Sequence, residues 1–254
     1  MDWASILHPR KRRPMDWATI TYPGTREVNE DSVGAAEAPN GWCFIAADGL
    51  GGHGMGDIAS QLAVEAFRKT FTESEEPIRE RLTAAFLQAQ NDILREQNKV
   101  HAQMQMKTTA TALVLTEDKF LWGHIGDTRL YAFARNRVKK RTLDHSIPQM
   151  LVHMREIKEN EIRNHPDRNK LLRVLGVSGE IPRFELSEEG NRNKYQAFLI
   201  CTDGFWELIL EEEMEQCLKN AASAQEWLDQ MAEIVRQRGE GTEMDNFSAV
   251  GVLV

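Results

Sequence analysis

Cysteine is scarce in this 254-residue chain: Cys43, Cys201 and Cys217 share no CxxC spacing. Two of them lie in apolar, strand-like runs, where a thiol acts as a small apolar group, and a reducing cytosol fits this usage best. No apolar run approaches the roughly 20 residues that span a bilayer, and no hydrophobic leader with a small-residue cleavage site opens the chain. A cytoplasmic protein without membrane attachment is therefore expected. A basic excess is also lacking. The formal net charge of −8 gives no general attraction for nucleic acid, whose binding depends on phosphate neutralisation. The one basic cluster, Arg10-Lys11-Arg12-Arg13, reads as a solvated tail. Beside it, Met1-Asp-Trp-Ala4 recurs as Met15-Asp-Trp-Ala18, through either an upstream alternative start or chance. Residues 1–15 are read as a flexible extension, and residues 1–14 as dispensable for the folded core.

What the chain does have is four aspartates at the ends of short apolar runs: Asp48 after Cys43–Ala47, Asp127 after Leu121–Gly126, Asp203 after Ala197–Thr202, and Asp245 just before Phe247–Val254. Strand ends gathered along one rim would bring these carboxylates together, and ionised carboxylates that close repel strongly unless cations lie between them. A metal site is the simplest resolution. Because the aspartates span the chain, one site implies one domain, here residues 16–254.

Strands are expected at 16–22, 41–47, 108–116, 120–126, 129–134 and 246–254, with a strand pair near 183–188 and 195–202. Between the first two lies a polar, acidic stretch, and Asp127-Thr128 reads as a turn between neighbouring strands. Asp48–Gly56 holds five glycines in nine residues, which demands a loop of unusual backbone geometry. Helical spacing of apolar residues marks about 57–71 and 77–99, and Ser223-Ala-Gln-Glu226 reads as a capping box opening a last helix. Strand follows strand around 108–134, which favours antiparallel pairing over a doubly wound sheet. Residues 144–176, charged and interrupted by Pro148 and Pro166, read as a partly helical insertion.

In this order, Arg26-Glu-Val-Asn-Glu-Asp31, Asp48-Gly-Leu-Gly-Gly-His53, Gly126-Asp-Thr-Arg-Leu-Tyr131, Asp144-His-Ser146, Asn164-His-Pro166, Leu175-Gly176, Cys201-Thr-Asp-Gly204 and Asp245-Asn246 resemble the metal-dependent serine/threonine protein phosphatases of the type-2C (PPM) class, bacterial branch. The resemblance covers nearly the whole chain after residue 16. It implies an α+β fold, a four-layer α-β-β-α sandwich of two antiparallel β-sheets face to face, flanked by helices, with 144–176 as a flap. It also implies a cofactor set of two Mn²⁺ or Mg²⁺ ions with a third, in a cleft at one end. Such hard cations suit all-oxygen ligands, and a close pair of them lowers the pKa of a shared water so that it can attack a phosphoester.

By the same resemblance, Asp48 bridges two metals, Asp203 and Asp245 complete one, and the Gly49 carbonyl with the Glu30/Asp31 pair serves the other, Asp31 being the expected direct ligand. Asp127, with Asp203, matches the position of a third, weaker metal; the plain alternative is a turn aspartate. Arg26 would clamp the substrate phosphate through its planar fork, or else pair with Glu27 or Glu30 at the surface. The catalytic set is thus Arg26, Asp48 and Asp203.

The chain departs from eukaryotic relatives in carrying Leu50 where many have a histidine after the Asp-Gly pair. Leucine donates no proton, so a water on the metal is the expected acid, with His53 as a loop brace. Met106-Lys-Thr-Thr109 replaces a common Met-Gly-Thr-Thr, and His145 reads as structural. Trp42, Trp122 and Trp206 are expected in the core or the cleft wall. The flap bases Arg155, Lys158, Arg163, Arg168, Lys170 and Arg173 read as phosphoprotein contacts or a solvated face. The expected partners are phosphorylated proteins, the substrates of a cognate Ser/Thr kinase, and the expected state is a monomer. A phosphoprotein-binding pseudophosphatase would have signalled itself by loss of Asp48, Asp203 or Asp245, and a two-metal nuclease by basic grooves.

Overall fold

The computed structural model describes residues 15–50, 55–102, 105–179 and 181–254. The basic cluster at 10–13, the first Met-Asp-Trp-Ala copy and His53 lie outside the described residues. The strands form two antiparallel sheets. One runs β1 (Asp16–Tyr22), β12 (Phe247–Leu253), β11 (Ala197–Cys201), β7 (Arg129–Ala134), β8 (Arg137–Arg141). The other runs β10 (Gly190–Asn191), β6 (Lys119–Ile125), β5 (Ala110–Leu115), β3 (Gly41–Leu50), β2 (Asp31–Ala38), with β4 (Lys107–Thr108) on β3 and β9 (Glu185–Leu186) on β6.

Period-two alternation sorts apolar side chains into layers. In β3, Phe44 and Ala46 point between the sheets, while Cys43, Ile45 and Ala47 point outward. In β11, Phe198 and Ile200 face inward, and Ala197, Leu199 and Cys201 outward. Both faces of these strands are thus buried, which explains their near-continuous hydrophobicity. Helices α1 (Gly56–Glu73) and α2 (Ile78–Val100) cover the second sheet through Phe67, Phe86 and Ile93. On the first lie α4 (Asp203–Trp206), α5 (Glu211–Asn220) and α6 (Ala224–Gly239), with Trp206, Trp227 and Met231 in that layer. The result is the expected four-layer α-β-β-α sandwich.

Four expectations need correction. Residues 31–38, expected within a polar stretch, form β2, whose half-buried pattern hides the alternation. Asp127-Thr128 does not join paired neighbours: β6 and β7 belong to different sheets, so this step carries the chain across the sandwich. The segments near 183–188 and 195–202 do not pair with each other, since β9 lies on β6 whereas β11 lies between β12 and β7. The Ser223 box is also incomplete. Ser223 Oγ accepts the Glu226 N–H at 3.1 Å, but Glu226 Oε2 accepts from Ala222 N–H at 2.8 Å, one residue further out. The insertion contains α3 (Ile147–His153), capped by Ser146, and a 3₁₀ segment at Glu159–Asn164.

Candidate metal centre

Five backbone segments meet at one end of the sandwich. From the second sheet, the β2–β3 register places Asp31 directly opposite Asp48, and cross-strand partners project to the same face. Asp127 stands where the chain crosses from sheet to sheet. From the first sheet, Asp203 opens α4 immediately after β11, and Asp245 precedes β12. The rim expected from strand ends is therefore present. Together Arg26, Glu30, Asp48, Gly49, Leu50, Asp127, Asn169, Leu171, Asp203 and Asp245 line a cleft of about 710 Å³.

Hydrogen bonds fix this rim in place. The Asp48 N–H donates to Thr109 Oγ1 at 2.9 Å, and the Asp48 carbonyl accepts from Thr108 Oγ1 at 2.8 Å and Thr109 N–H at 2.9 Å. The two threonines of the Met-Lys-Thr-Thr run thus hold the central aspartate by its backbone and leave its carboxylate for the cleft. Gly49 has a steric reason: a Cβ there would lie 2.1 Å from the Gly56 carbonyl oxygen and 2.6 Å from that of Glu30. Glu30, just before β2, and Asp31, its first residue, point differently. Glu30 lines the cleft, with Oε1 accepting the Gly56 N–H at 3.2 Å. Asp31 lies deeper, and its Oδ2 accepts from Thr202 Oγ1 at 2.8 Å. Asn246 ties the two edges together, its Oδ1 accepting from Glu30 N–H while its Nδ2 donates to the carbonyls of Pro23 and Val28.

The carboxyls resist ionisation together. Burial, followed by the charges of Asp203, Asp31 and Asp127, raises Asp48 well above the usual carboxylate range. Burial and Asp203 do the same to Asp127. Asp203 is pushed up to about 6 by burial and then by Asp245, and Asp31 to about 7 mainly by burial. Among the described residues lining the cleft, Arg26 is the only cation, against Glu27, Glu30, Asp48, Asp127, Asp203 and Asp245. It donates to Asp245 Oδ2 at 3.1 Å with more than half its side chain exposed, so its ion pair is with Asp245 rather than with Glu27 or Glu30, the alternative to a phosphate clamp. Asp127 Oδ1 is buried without a hydrogen-bond partner. Clustered carboxylates, an orphaned carboxylate oxygen and all-oxygen donors suit hard divalent cations.

The sequence reading missed several supports. Thr202 Oγ1 donates to the Asp31 carboxylate, and the Ser248 hydroxyl beside it works with Thr202 against the upward shift of that acid. Glu207, one helical turn after Asp203, is raised to about 7 by burial and by Asp203. Period analysis would have found Glu207, since i and i+4 share a helix face; the two hydroxyls carry no local signal. Trp206 is buried, and its Nε1–H donates to the Asp127 carbonyl at 3.0 Å. The flap bases are mostly engaged internally. Arg163 binds the carbonyls of Trp206 and Ile209 and the Glu211 carboxylate, Arg168 pairs with Glu207, Lys170 with Asp167, and Arg173 with Glu185.

The protein phosphatase 2C family model matches residues 24–247. The serine/threonine phosphatase stp of Listeria welshimeri is 31% identical over 212 residues, covering 80% of this chain and 82% of that protein. The crystal structure of serine/threonine phosphatase Stp1 from Staphylococcus aureus superposes with a TM-score of 0.87 at 21% identity, over 95% of this chain and 96% of that one. A second structure, the catalytic domain of phosphatase PstP in complex with two manganese ions, gives a TM-score of 0.78 at 24% identity over 94% and 97%. With the matched span reaching from the Arg26 loop to the start of β12, the chain belongs to the protein phosphatase 2C family.

Proposed function

We propose that the chain hydrolyses phosphoserine and phosphothreonine on proteins, using two divalent cations, Mn²⁺ or Mg²⁺, with a third at Asp127. The observation that carries this reading is the convergence of Asp48, Asp127, Asp203 and Asp245 in one cleft where Arg26 is the one arginine among the described lining residues. The manganese complex of a fold relative and the relatives' names support it. Asp48 would hold both principal ions, Asp203 and Asp245 one, and the Gly49 carbonyl with Glu30 and Asp31 the other. When bound, the ions supply a water activated for attack at neutral pH and neutralise charge on the phosphate.

The chain's own residues do the rest. Arg26, already oriented by Asp245, presents the remaining donors of its fork to phosphate oxygens. Thr108, Thr109 and Asn246 keep the acids from shifting as charge moves. Leu50 lines the cleft at the position after Asp48-Gly49 and offers no proton, so the proton for the leaving oxygen would come from a water held in the cleft, as expected from the sequence. No acidic position is lost, which favours turnover over a pseudophosphatase. In this reading residues 16–254 are one phosphatase domain with a flap at about 144–176. It works as a cytoplasmic monomer on the products of a Ser/Thr kinase, a setting that suits three free, buried cysteines. Hydrolysis of p-nitrophenyl phosphate and a phosphothreonine peptide should require Mn²⁺ or Mg²⁺ and stop with EDTA. Activity that survives EDTA would end the reading.

A further inference from the structure

Behind the cleft, ligating atoms of His124, His145 and Glu185 lie within 4.8 Å of one another. The hydrogen bonds argue against a second metal there. The buried Gly126 N–H donates to His145 Nδ1 at 3.2 Å, so in the neutral ring the proton sits on Nε2. That nitrogen faces Glu185 Oε1 at 3.2 Å and Arg173 Nη1 at 3.3 Å, and with the proton on Nε2 both groups donate to Glu185, Arg173 Nη1 at 2.9 Å. The His145 backbone N–H donates in turn to the Gly126 carbonyl at 2.9 Å. The ring stacks on His124 at 4.6 Å between centroids and 13° between planes, and His124 Nε2 is fixed by the Leu143 carbonyl at 2.8 Å. A pair of hydrogen bonds from one residue therefore clamps Gly126, the residue before Asp127.

Gly126 needs such a clamp. Its φ of +100° is a left-handed conformation that gives it no intrinsic preference for this turn, and Thr109 would collide with any Cβ at 2.5 Å. Asp127 follows with one buried carboxylate oxygen unpartnered, so its direction depends on the backbone that carries it. Burial, with His124 beside it, lowers His145 to about 4, which keeps Nδ1 an acceptor throughout the neutral range. The flap closes the chain of contacts, because Leu172 N–H donates to the His145 carbonyl at 2.7 Å and Arg173 holds Glu185.

We propose that His145 is a positioning residue that aims Asp127 at its metal and ties that aim to the base of the flap. The inference rests on Asp127 being a ligand, as proposed above. The test is Mn²⁺ binding to the full chain, by calorimetry and by electron paramagnetic resonance, in wild type, Asp127→Asn, His145→Ala, His145→Asn and His145→Gln, with amide exchange of Gly126 followed alongside. Asparagine places an acceptor where Nδ1 stands, whereas glutamine replaces only the Nε2 side. His145→Ala and His145→Gln should weaken, by about 10- to 100-fold, the same Mn²⁺ class that Asp127→Asn weakens, leave the other classes within about twofold, and speed Gly126 exchange. His145→Asn should recover most of the affinity and the protection.

Equal weakening of all classes, an unchanged weak class, or an asparagine variant no better than glutamine overturns the proposal. Should the alanine variant not fold, the asparagine–glutamine pair decides alone. If Asp127→Asn alters no class, the ligand reading fails, and Gly126 exchange then judges the clamp by itself.

Discussion

Two clusters of buried charge lie against each other, with Trp206 as the partition between them. On one side, Arg129 Nε and Nη2 donate to Asp144 Oδ1 and Oδ2 at 2.8 and 2.6 Å, and the guanidinium stacks 3.4 Å over the Trp206 ring. Burial works against Arg129's charge, but Asp144 outweighs it and holds the group protonated. On the other side, Trp206 Nε1 supports the Asp127 carbonyl, and beyond it six carboxylates line the cleft with a half-exposed arginine. The fold supplies both signs where charge serves structure and withholds one where it serves chemistry. Low dielectric makes an unpaired buried charge expensive, so the imbalance marks the working site.

The sharpest test of this difference removes an acid from the unbalanced side. Asp203→Asn should lower phosphatase kcat by more than the roughly 100-fold that loss of an outer-shell group can cost, while the EDTA-treated protein melts no lower than wild type. A variant that stays active, or a melting temperature that falls sharply without metal, would make Asp203 a structural acid like Asp144. On the balanced side the outcome should reverse. Arg129→Met leaves Asp144 only the longer, 3.4 Å contact with Arg141 and should cost about 3–5 kcal/mol, whereas Arg129→Met with Asp144→Leu should recover most of that loss. Equal instability of the single and double variants, read by urea denaturation, would show that Arg129 acts through Trp206 rather than through its ion pair.

The two sides were unequally legible in the sequence. The acids could be read because each follows or precedes an apolar strand run, and the four-layer sandwich because its family motifs stand in order. Arg129 and Asp144 were quoted within motifs, but their pairing joins β7 to the start of the insertion, a contact no spacing rule reaches. Strands β2 and β8 were missed for a related reason. Half-buried Ser32, Val33 and Gly34 and the edge sequence Arg137-Val-Lys-Lys-Arg141 owe their strand state to partners, not to alternation. Helix α5 was a true oversight, since Glu211-Glu-Glu213 is a plain acidic first turn.

Arg26 lies on the border of the comparison, a cation given to the unbalanced side but left half-exposed. If it serves substrate rather than the acids, Arg26→Ala should raise KM for a phosphothreonine peptide by about 10- to 100-fold, the worth of charge-assisted hydrogen bonds of roughly 1.5–3 kcal/mol. Mn²⁺ affinity should stay nearly unchanged. A fall in metal affinity with KM preserved would assign Arg26 to holding Asp245 instead.

The smallest effect is a slope. Asp31 and Asp203 are raised to about 7 and about 6, so the folded, metal-free protein binds protons that the unfolded chain releases near pH 4. Their contribution is complete below that value and is lost as pH rises through 6 and 7. The lowered His124 and His145 run the other way, adding stability as pH rises toward 6.5, so total stability mixes both signs. The difference between wild type and Asp31→Asn isolates the acid. In EDTA, the wild-type advantage in melting temperature should shrink by a few degrees between about pH 4.5 and 7.5, given roughly 2–4 °C per kcal/mol at this chain length. Saturating Mn²⁺ should reverse that trend, because ligands must shed protons to bind it. Parallel curves in EDTA would mean that Asp31 is already compensated inside the protein, and the acidic rim would then resemble the Arg129–Asp144 side rather than oppose it.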